Sequence, residues 1–135
     1  MSLQFGTTLR NNMLDQVEST AGTAALFRIY SGSAPANCGT AASGTLLVEM
    51  SLPSDWMAAA ASGAKSMSGT WEDTSANATG TAGYFRIYDS AGTTCHVQGT
   101  VTATGGGGDV TLDNTSIASA QDVKITSFTL TAPGA

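Results

Sequence analysis

The amino-acid sequence predicts an all-β fold, a two-sheet antiparallel sandwich with a short N-terminal helix. One nine-residue motif occurs twice, as GTAALFRIY at 22–30 and as GTAGYFRIY at 80–88, with seven identical positions. About eight short stretches of strand-like alternation are separated by turn-forming residues. They do not alternate with long helical patterns, which argues against a parallel α/β sheet. Two related antiparallel halves favour a jelly roll of two Greek keys, and an immunoglobulin-like sandwich is the alternative.

The predicted strands are residues 24–30, 45–52, 64–71, 81–88, 93–102, 109–113 and 122–131. In the first strand, Phe27 and Ile29 are predicted to share one face, opposite Arg28. In the last strand the apolar positions change face, which predicts a twist or bulge near Ser127. The four glycines 105–108 are predicted to form a mobile loop or hinge.

The chain is predicted to be one domain with an N-terminal extension. Residues 1–22 are interpreted as an arm and a short helix that begins near Leu9, capped by Thr7 or Thr8. Residues 23–135 are interpreted as a single β-sandwich domain with two related halves, about 23–79 and 80–135, on the strength of the repeated motif.

The predicted helix carries an apolar stripe. Leu9, Met13 and Val17 recur at four-residue spacing, with Leu14 beside them. Two interpretations stay open: the helix closes one end of the β-fold, or it is exposed and docks on a partner.

Composition excludes several functions. Charged residues are 11% of the 135 residues, the net charge is −5, and the five basic residues are scattered, so we expect no direct nucleic-acid binding. No apolar run approaches the ~20 residues that span a bilayer, so we expect no membrane contact. The start lacks the pattern of a secretory signal, which predicts a protein made in a cytosol.

The sequence offers little chemistry, and we expect no catalytic residue, metal or cofactor. Cys95 and His96 are adjacent in a predicted strand, so their side chains face opposite ways and cannot act on one ion or form a nucleophile pair. The acidic pair Glu72–Asp73 is interpreted as a solvated edge. A Ca²⁺ site at Asp109 and Asp113 stays open as an alternative.

The two cysteines occupy similar places in the two halves. Cys38 follows the first copy of the motif and Cys95 follows the second. A disulfide between them stays open as an alternative, but a reducing cytosol favours free thiols.

The two arginines of the motif mark a candidate interface. Because a lone buried arginine is costly, their face is predicted to be wet, paired with a carboxylate, or covered by a partner. Stacking of each arginine on a cross-strand tyrosine is the purely structural alternative. The candidate partner-interface residues are Arg28, Tyr30, Arg86, Tyr88, Trp56, Met57, Leu9 and Met13.

Several phrases resemble a family of small virion proteins of tailed bacteriophages. They are the opening LRNNMLDQVE, FRIY followed by DSAGT, CHVQGTVT, DVTLDNTSI and the closing VKITSFTLTAPGA, and the resemblance covers nearly the whole chain. It implies a capsid decoration or cement protein with a β-sandwich or jelly-roll fold. Such a protein would bridge subunits of the phage major capsid protein on the outer capsid surface, after assembly in the host cytoplasm. The family supplies no catalytic residues.

A decoration role also predicts a homo-oligomer, a dimer or trimer whose symmetry matches the shell. The alternative function is a carbohydrate-binding or adhesion module of a phage tail fibre or baseplate, in which Trp56, Trp71, Tyr30 and Tyr88 would stack on sugar rings. We expect no enzyme, because His96 faces away from Cys95 and the sequence has no second histidine from which a catalytic triad could be built.

Overall fold

A computed structural model describes residues 3–134, and this part of the chain contains one helix and ten short strands. The elements are α1 (Thr7–Ala21), β1 (Leu26–Ser31), β2 (Leu46–Ser51), β3 (Ala64–Ser66), β4 (Trp71–Asp73), β5 (Gly80–Tyr88), β6 (Cys95–Ala103), β7 (Val110–Leu112), β8 (Ser116–Ile117), β9 (Val123–Ile125) and β10 (Thr129–Thr131). The fold is therefore mostly β, as the sequence predicts.

The two copies of the repeated motif lie side by side at the centre of the main sheet. Its strand order is β2-β1-β5-β6-β7, and β8 pairs with the start of β5. β1 and β5 are antiparallel, with Arg28 directly opposite Arg86. Each copy also pairs on its outer side with the strand that follows it in the chain, β2 or β6. The two motifs thus occupy equivalent positions about a local two-fold axis between the arginines.

The prediction of a purely antiparallel fold is wrong at one edge, because β6 and β7 are parallel. Parallel neighbours normally need a crossover of a dozen or more residues. Here β7 has only three residues, and Gly105 and Gly107 adopt φ values of 88° and 80°, which favour glycine. The predicted glycine loop is therefore a short connection between two parallel strands, in which the Gly108 N–H donates to Thr102 Oγ1 at 3.0 Å.

Two small sheets accompany the main one. β10 pairs with β3, and β4 pairs with β9, both antiparallel. The predicted strand 122–131 is therefore divided into β9 and β10, which belong to different sheets, and the break includes the predicted irregularity at Ser127.

The core is an aromatic cluster on the inner face of the main sheet. Phe27 and Phe85, the phenylalanines of the two motifs, stack at 5.0 Å between ring centroids. Trp71 lies 5.5 Å from Phe27 and 5.9 Å from Trp56. Phe128 packs edge-on against Phe85 at 5.7 Å. These contacts join both copies of the motif to β4 and to the connecting segments.

A bulge in β2 adds a residue to this core. Ile29 pairs with Val48 but Tyr30 pairs with Leu46, so Leu47 has no direct partner on β1. Leu47 is fully buried beside Val48. The regular alternation of faces along β2 is therefore broken by the bulge.

Helix α1 begins before its predicted start. Gly6 is the N-cap with extended backbone and no side-chain capping bond, so the prediction that Thr7 or Thr8 caps the helix is wrong. The helix ends at Gly22, whose φ is 86° and whose N–H donates to Glu18 O at 2.9 Å.

Candidate functional site

The outer face of the main sheet carries the arginine–tyrosine cluster, which we define as Arg28, Tyr30, Tyr84, Arg86 and Tyr88. These side chains alternate with the core residues of the same two strands, as the strand period requires. The covering loop, residues 32–45, connects β1 to β2 and makes hydrogen bonds to Tyr84 and Arg86 of this cluster. The sheet is thus buried on both faces at this position.

A row of four polar residues crosses the sheet through this cluster. The register places Glu49 opposite Arg28, Arg28 opposite Arg86, and Arg86 opposite Gln98. Like charges directly opposite each other destabilise a sheet. Each arginine instead donates a hydrogen bond to the strand on its far side, Arg28 to the Glu49 carboxylate and Arg86 to the Gln98 amide oxygen.

Arg28 is partly exposed and has a carboxylate partner. Its Nε lies 2.7 Å from Glu49 Oε2, with side-chain exposures of 20% and 35%. Its guanidinium carbon lies 4.7 Å from the Tyr88 ring centroid, so the predicted stacking on a cross-strand tyrosine is present. Burial is the largest single influence and would lower the pKa of Arg28, but the hydrogen bonds and charges of Glu49 and Tyr30 together outweigh it and the pKa is raised.

Arg86 is 2% exposed and is satisfied by neutral acceptors. Its Nε donates to Gln98 Oε1 at 2.9 Å and its Nη1 to the Tyr88 hydroxyl at 3.2 Å. Its Nη2 donates to two backbone carbonyls of the covering loop, Thr40 O at 2.7 Å and Asn37 O at 3.2 Å. A buried charge is tolerated only when its donors are paired, and here the loop supplies half of the acceptors.

The tyrosines of the cluster also hold the covering loop. Tyr30 and Tyr84 stack at 5.1 Å between centroids. The Tyr84 hydroxyl donates to Ser43 O at 2.6 Å and accepts from Ser43 N at 3.0 Å. Burial, followed by interaction with Tyr88, raises the pKa of Tyr30 to about 12, so this hydroxyl stays neutral at physiological pH.

Several predicted interface residues are therefore inaccessible in the folded chain. Tyr30 and Tyr88 are 7% exposed and Arg86 is 2% exposed, because they pack within the cluster and the loop bonds to Arg86. Trp56 and Met57 are at most 1% exposed, because they lie in the core. For these five residues a direct partner contact is corrected to a structural role.

The residues suggested for sugar stacking are buried as well. Trp56 and Trp71 are fully buried, and Tyr30 and Tyr88 are 7% exposed. The Trp56 indole donates to Gly22 O at 2.9 Å and the Trp71 indole to Trp56 O at 3.1 Å, so both polar tips are used internally. No solvent-facing aromatic platform is formed by these four side chains.

Helix α1 docks through its polar side. Lys65, 2% exposed, places Nζ 2.7 Å from Asp15 Oδ1 and 3.2 Å from Glu18 Oε1. Burial alone would lower the pKa of Lys65, but the hydrogen bonds with Asp15 and Glu18 outweigh it and raise the pKa. The hydrogen bond from Lys65 in turn lowers the pKa of Asp15.

Backbone groups complete this docking. Asp15 Oδ1 accepts from Ala60 N at 3.0 Å and Glu18 Oε2 from Met57 N at 2.9 Å. Arg10 is 8% exposed and its Nη2 donates to Ala132 O at 2.8 Å. The helix is therefore fastened to both the segment before β3 and the end of the chain.

The predicted apolar stripe of α1 is divided by this docking. Leu14 is buried, whereas Leu9 is 51% exposed and Met13 is 38% exposed. Met13 and His96 line a shallow recess of about 260 Å³ together with Gln16, Val17 and Thr20. Of the predicted interface residues, Leu9 and Met13 are the two that face outward from the helix.

A second recess lies between two strand edges. It has a volume of about 410 Å³ and is lined by residues of β6 and β10 with Phe85, Phe128 and Asp109. β7 pairs only with residues 101–103 of β6, so within residues 3–134 no strand lies on the outer edge of residues 95–100. Gly99 is required here, because a Cβ would lie 2.6 Å from the Phe85 ring and 2.8 Å from Asp109 Oδ2.

The acidic residues considered for chemistry make structural bonds. Asp73 accepts from Glu49 N at 3.1 Å, and Asp109 accepts from Thr100 N at 3.0 Å. Glu72 lies opposite Lys124 in the backbone register of β4 and β9. In residues 3–134 no three His, Cys, Asp or Glu side chains are grouped closely enough to hold a metal ion, a set that includes Asp109 and Asp113.

Comparison with known proteins identifies no relative. No protein family, curated protein or solved structure matches the chain. Over the described residues, no helix has the length and apolar character needed to cross a membrane.

Proposed function

We propose that the protein is a structural virion protein, a capsid decoration or cement protein that stabilises a phage head by bridging major capsid subunits. The observation that carries this proposal is the orientation of α1. The helix is docked on its own domain by the buried Leu14 and by the ion pairs of Lys65 with Asp15 and Glu18, and this docking leaves Leu9 and Met13 exposed to solvent. An orientation held by a buried lysine and two carboxylates is suited to presenting Leu9 and Met13 to a partner.

The low charge and small side chains of the surface support the same function. Alanine, glycine, serine and threonine lose little side-chain entropy when a partner immobilises them. The open outer edge of β6 offers a second contact, because an exposed strand edge can accept a strand from a neighbouring protein. The resemblance to phage virion proteins in the opening and closing segments is consistent with both contacts.

The finer architecture is part of this proposal. We infer a two-layer sandwich in which the small β3–β10 and β4–β9 sheets cover the inner face of the main sheet. The packing of Trp71 and Phe128 against Phe27 and Phe85 supports that arrangement. With the sandwich we also propose a jelly-roll strand order and a dimeric or trimeric assembly.

Mass spectrometry of purified virions of the encoding phage tests the proposal directly. We expect the protein in mature heads, on the outer surface, where surface labelling reaches it before the capsid is opened. Absence from the virion, or recovery only with tails or baseplates, would overturn the proposal.

A pair of variants tests the contact surface itself. We expect the double variant Leu9→Glu, Met13→Glu to fold normally and to bind heads lacking the protein at least tenfold more weakly, since covering each half-exposed side chain contributes about 1 kcal/mol. The control Ser119→Glu adds charge at an exposed position on another surface and should bind like the wild type. Equal binding of the double variant and the wild type in co-sedimentation would exclude α1 as the contact.

A further inference from the structure

We propose that Cys38 and Cys95 are a covalent modification site, at which a small disulfide compound oxidises the two thiols to an intramolecular disulfide that fastens the covering loop to β6. Both cysteines are free and half-buried. The proposal goes beyond the virion role and does not depend on it.

The first argument is that the loop backbone is held against β5 and β6 on both sides of Cys38. Gln98 Nε2 donates to Pro35 O at 2.8 Å. Arg86 Nη2 donates to Asn37 O and Thr40 O at 3.2 and 2.7 Å. Three carbonyls within six residues of chain therefore fix the position of Cys38 before any covalent bond forms.

The second argument is that Cys95 lies on the strand that anchors this loop. Cys95 is opposite Tyr88 in the β5–β6 register, and Gln98 on the same strand is opposite Arg86. Burial raises the pKa of Cys95 to about 12, and interaction with the neighbouring Cys38 thiol adds to the increase. The loop anchors on Arg86 and Gln98, together with the register of Cys95, therefore place both cysteines over the same part of the β5–β6 pair, although the sequence separates them widely.

The chemistry is thiol–disulfide exchange. The thiolate of Cys38, whose chain neighbours are exposed, attacks one sulfur of a small disulfide RSSR, such as oxidised glutathione. The S–S bond of RSSR breaks, one RS⁻ leaves and takes up a proton, and Cys38 carries a mixed disulfide. The Cys95 sulfur, after losing its proton, attacks Cys38 Sγ and displaces the second RSH. Two protein thiols are oxidised to one disulfide and RSSR is reduced to two RSH.

The second step is expected to be slow, because the attacking thiolate of Cys95 is scarce at neutral pH. The bridge should raise Tm by about 10 °C, since it restricts the unfolded chain between the two halves. Reduction should return Tm to its starting value.

The test is incubation of the folded wild-type protein with oxidised glutathione, followed by thiol titration, intact mass and peptide mapping. We expect loss of both thiols, loss of the mass of two hydrogen atoms, a linked Cys38–Cys95 peptide, a monomer on a non-reducing gel, and a higher Tm that dithiothreitol reverses. Stable glutathione adducts at both cysteines, linked dimers, or unchanged thiols would overturn the proposal.

Two further measurements separate proximity from general reactivity. At equilibrium with oxidised glutathione, the bridged form should be a larger fraction of the folded protein than of the protein in urea, because the loop contacts hold the two cysteines near each other. The Cys38→Ser variant should retain its Tm within about 2 °C after the same oxidation, since a single thiol cannot form the bridge. Equal bridged fractions in the folded and unfolded protein would contradict preorganisation by the loop.

Discussion

Replacing Arg86 with methionine tests whether a buried guanidinium holds the covering loop on the sheet. Methionine keeps a long apolar stem, so the substitution removes four donated hydrogen bonds with little loss of packing volume. Two opposing effects decide the result. Removal of a buried charge relieves its desolvation, whereas loss of its donors leaves four acceptors without a partner.

The structure favours destabilisation. The Asn37 and Thr40 carbonyls belong to an exposed loop and can bond to water once they are released. The Gln98 amide and the Tyr88 hydroxyl are more deeply placed and recover less. At about 1–1.5 kcal/mol for each bond that is not recovered, and with the freed loop adding to the loss, we expect Arg86→Met to reduce the free energy of unfolding by about 3 kcal/mol and Tm by about 10 °C.

Arg28→Met is the matched control, because it makes the same chemical change directly across the β1–β5 pair. Arg28 and Glu49 are partly exposed, so water replaces most of their interaction and the expected loss is about 1 kcal/mol. Urea unfolding followed by the fluorescence of the buried tryptophans measures both variants. If Arg86→Met is as stable as Arg28→Met, or more stable than the wild type, the guanidinium does not hold the loop.

Two other changes test how α1 and β5 are placed. Lys65→Met should destabilise the protein by about 1 kcal/mol near pH 7, because the carboxylates that dock α1 lose their cation but Asp15 is partly exposed and water replaces part of the interaction. Asp15 has a lowered pKa and Lys65 a raised one, so the stability gap between this variant and the wild type should be constant from about pH 5 to 9. The stability gap should shrink below about pH 4, as Asp15 is protonated, and above about pH 10.5, as Lys65 is deprotonated. A gap that is unchanged at pH 3 would contradict the ion pair. Gly83→Ala should lower the free energy of unfolding by about 2 kcal/mol or more, because its Cβ would lie 1.8 Å from Gly32 O. The control Gly6→Ser has open space around it and should change the free energy of unfolding by less than about 0.5 kcal/mol in the same urea titration. Equal stability of the two variants would show that the close approach of Gly83 to Gly32 is not required.

Local alternation predicted the central strands well. Phe27 and Ile29 enter the core and Arg28 lies on the opposite face, because residues two apart in a strand share a face whatever surrounds them. The helix was also recognisable from its spacing, although its start and its cap were misplaced. These features depend on residues within a few positions of one another.

Contacts across long chain distances could not be predicted in this way. The apolar stripe left open whether the helix closes the β-fold or docks on a partner. In the structure Lys65 of β3 binds Asp15 and Glu18, and Leu9 and Met13 are exposed. Arg86 resembled an interface residue because nothing near it in sequence reveals the loop carbonyls that accept its hydrogen bonds. The strand at 109–113 was predicted, but its parallel pairing with β6 was not, because an apolar pattern does not encode the direction of a strand.

The sequence by itself determined that this is a mostly β protein with a repeated arginine-bearing strand and an N-terminal helix. Those properties follow from side-chain periodicity, which is local. Only the tertiary structure decided that the two copies pair with each other, that the covering loop buries their arginines unequally, and that Cys38 approaches Cys95. The physical reason is that a buried polar group takes whichever partner the folded chain brings within hydrogen-bonding distance, and that partner can lie anywhere in the sequence.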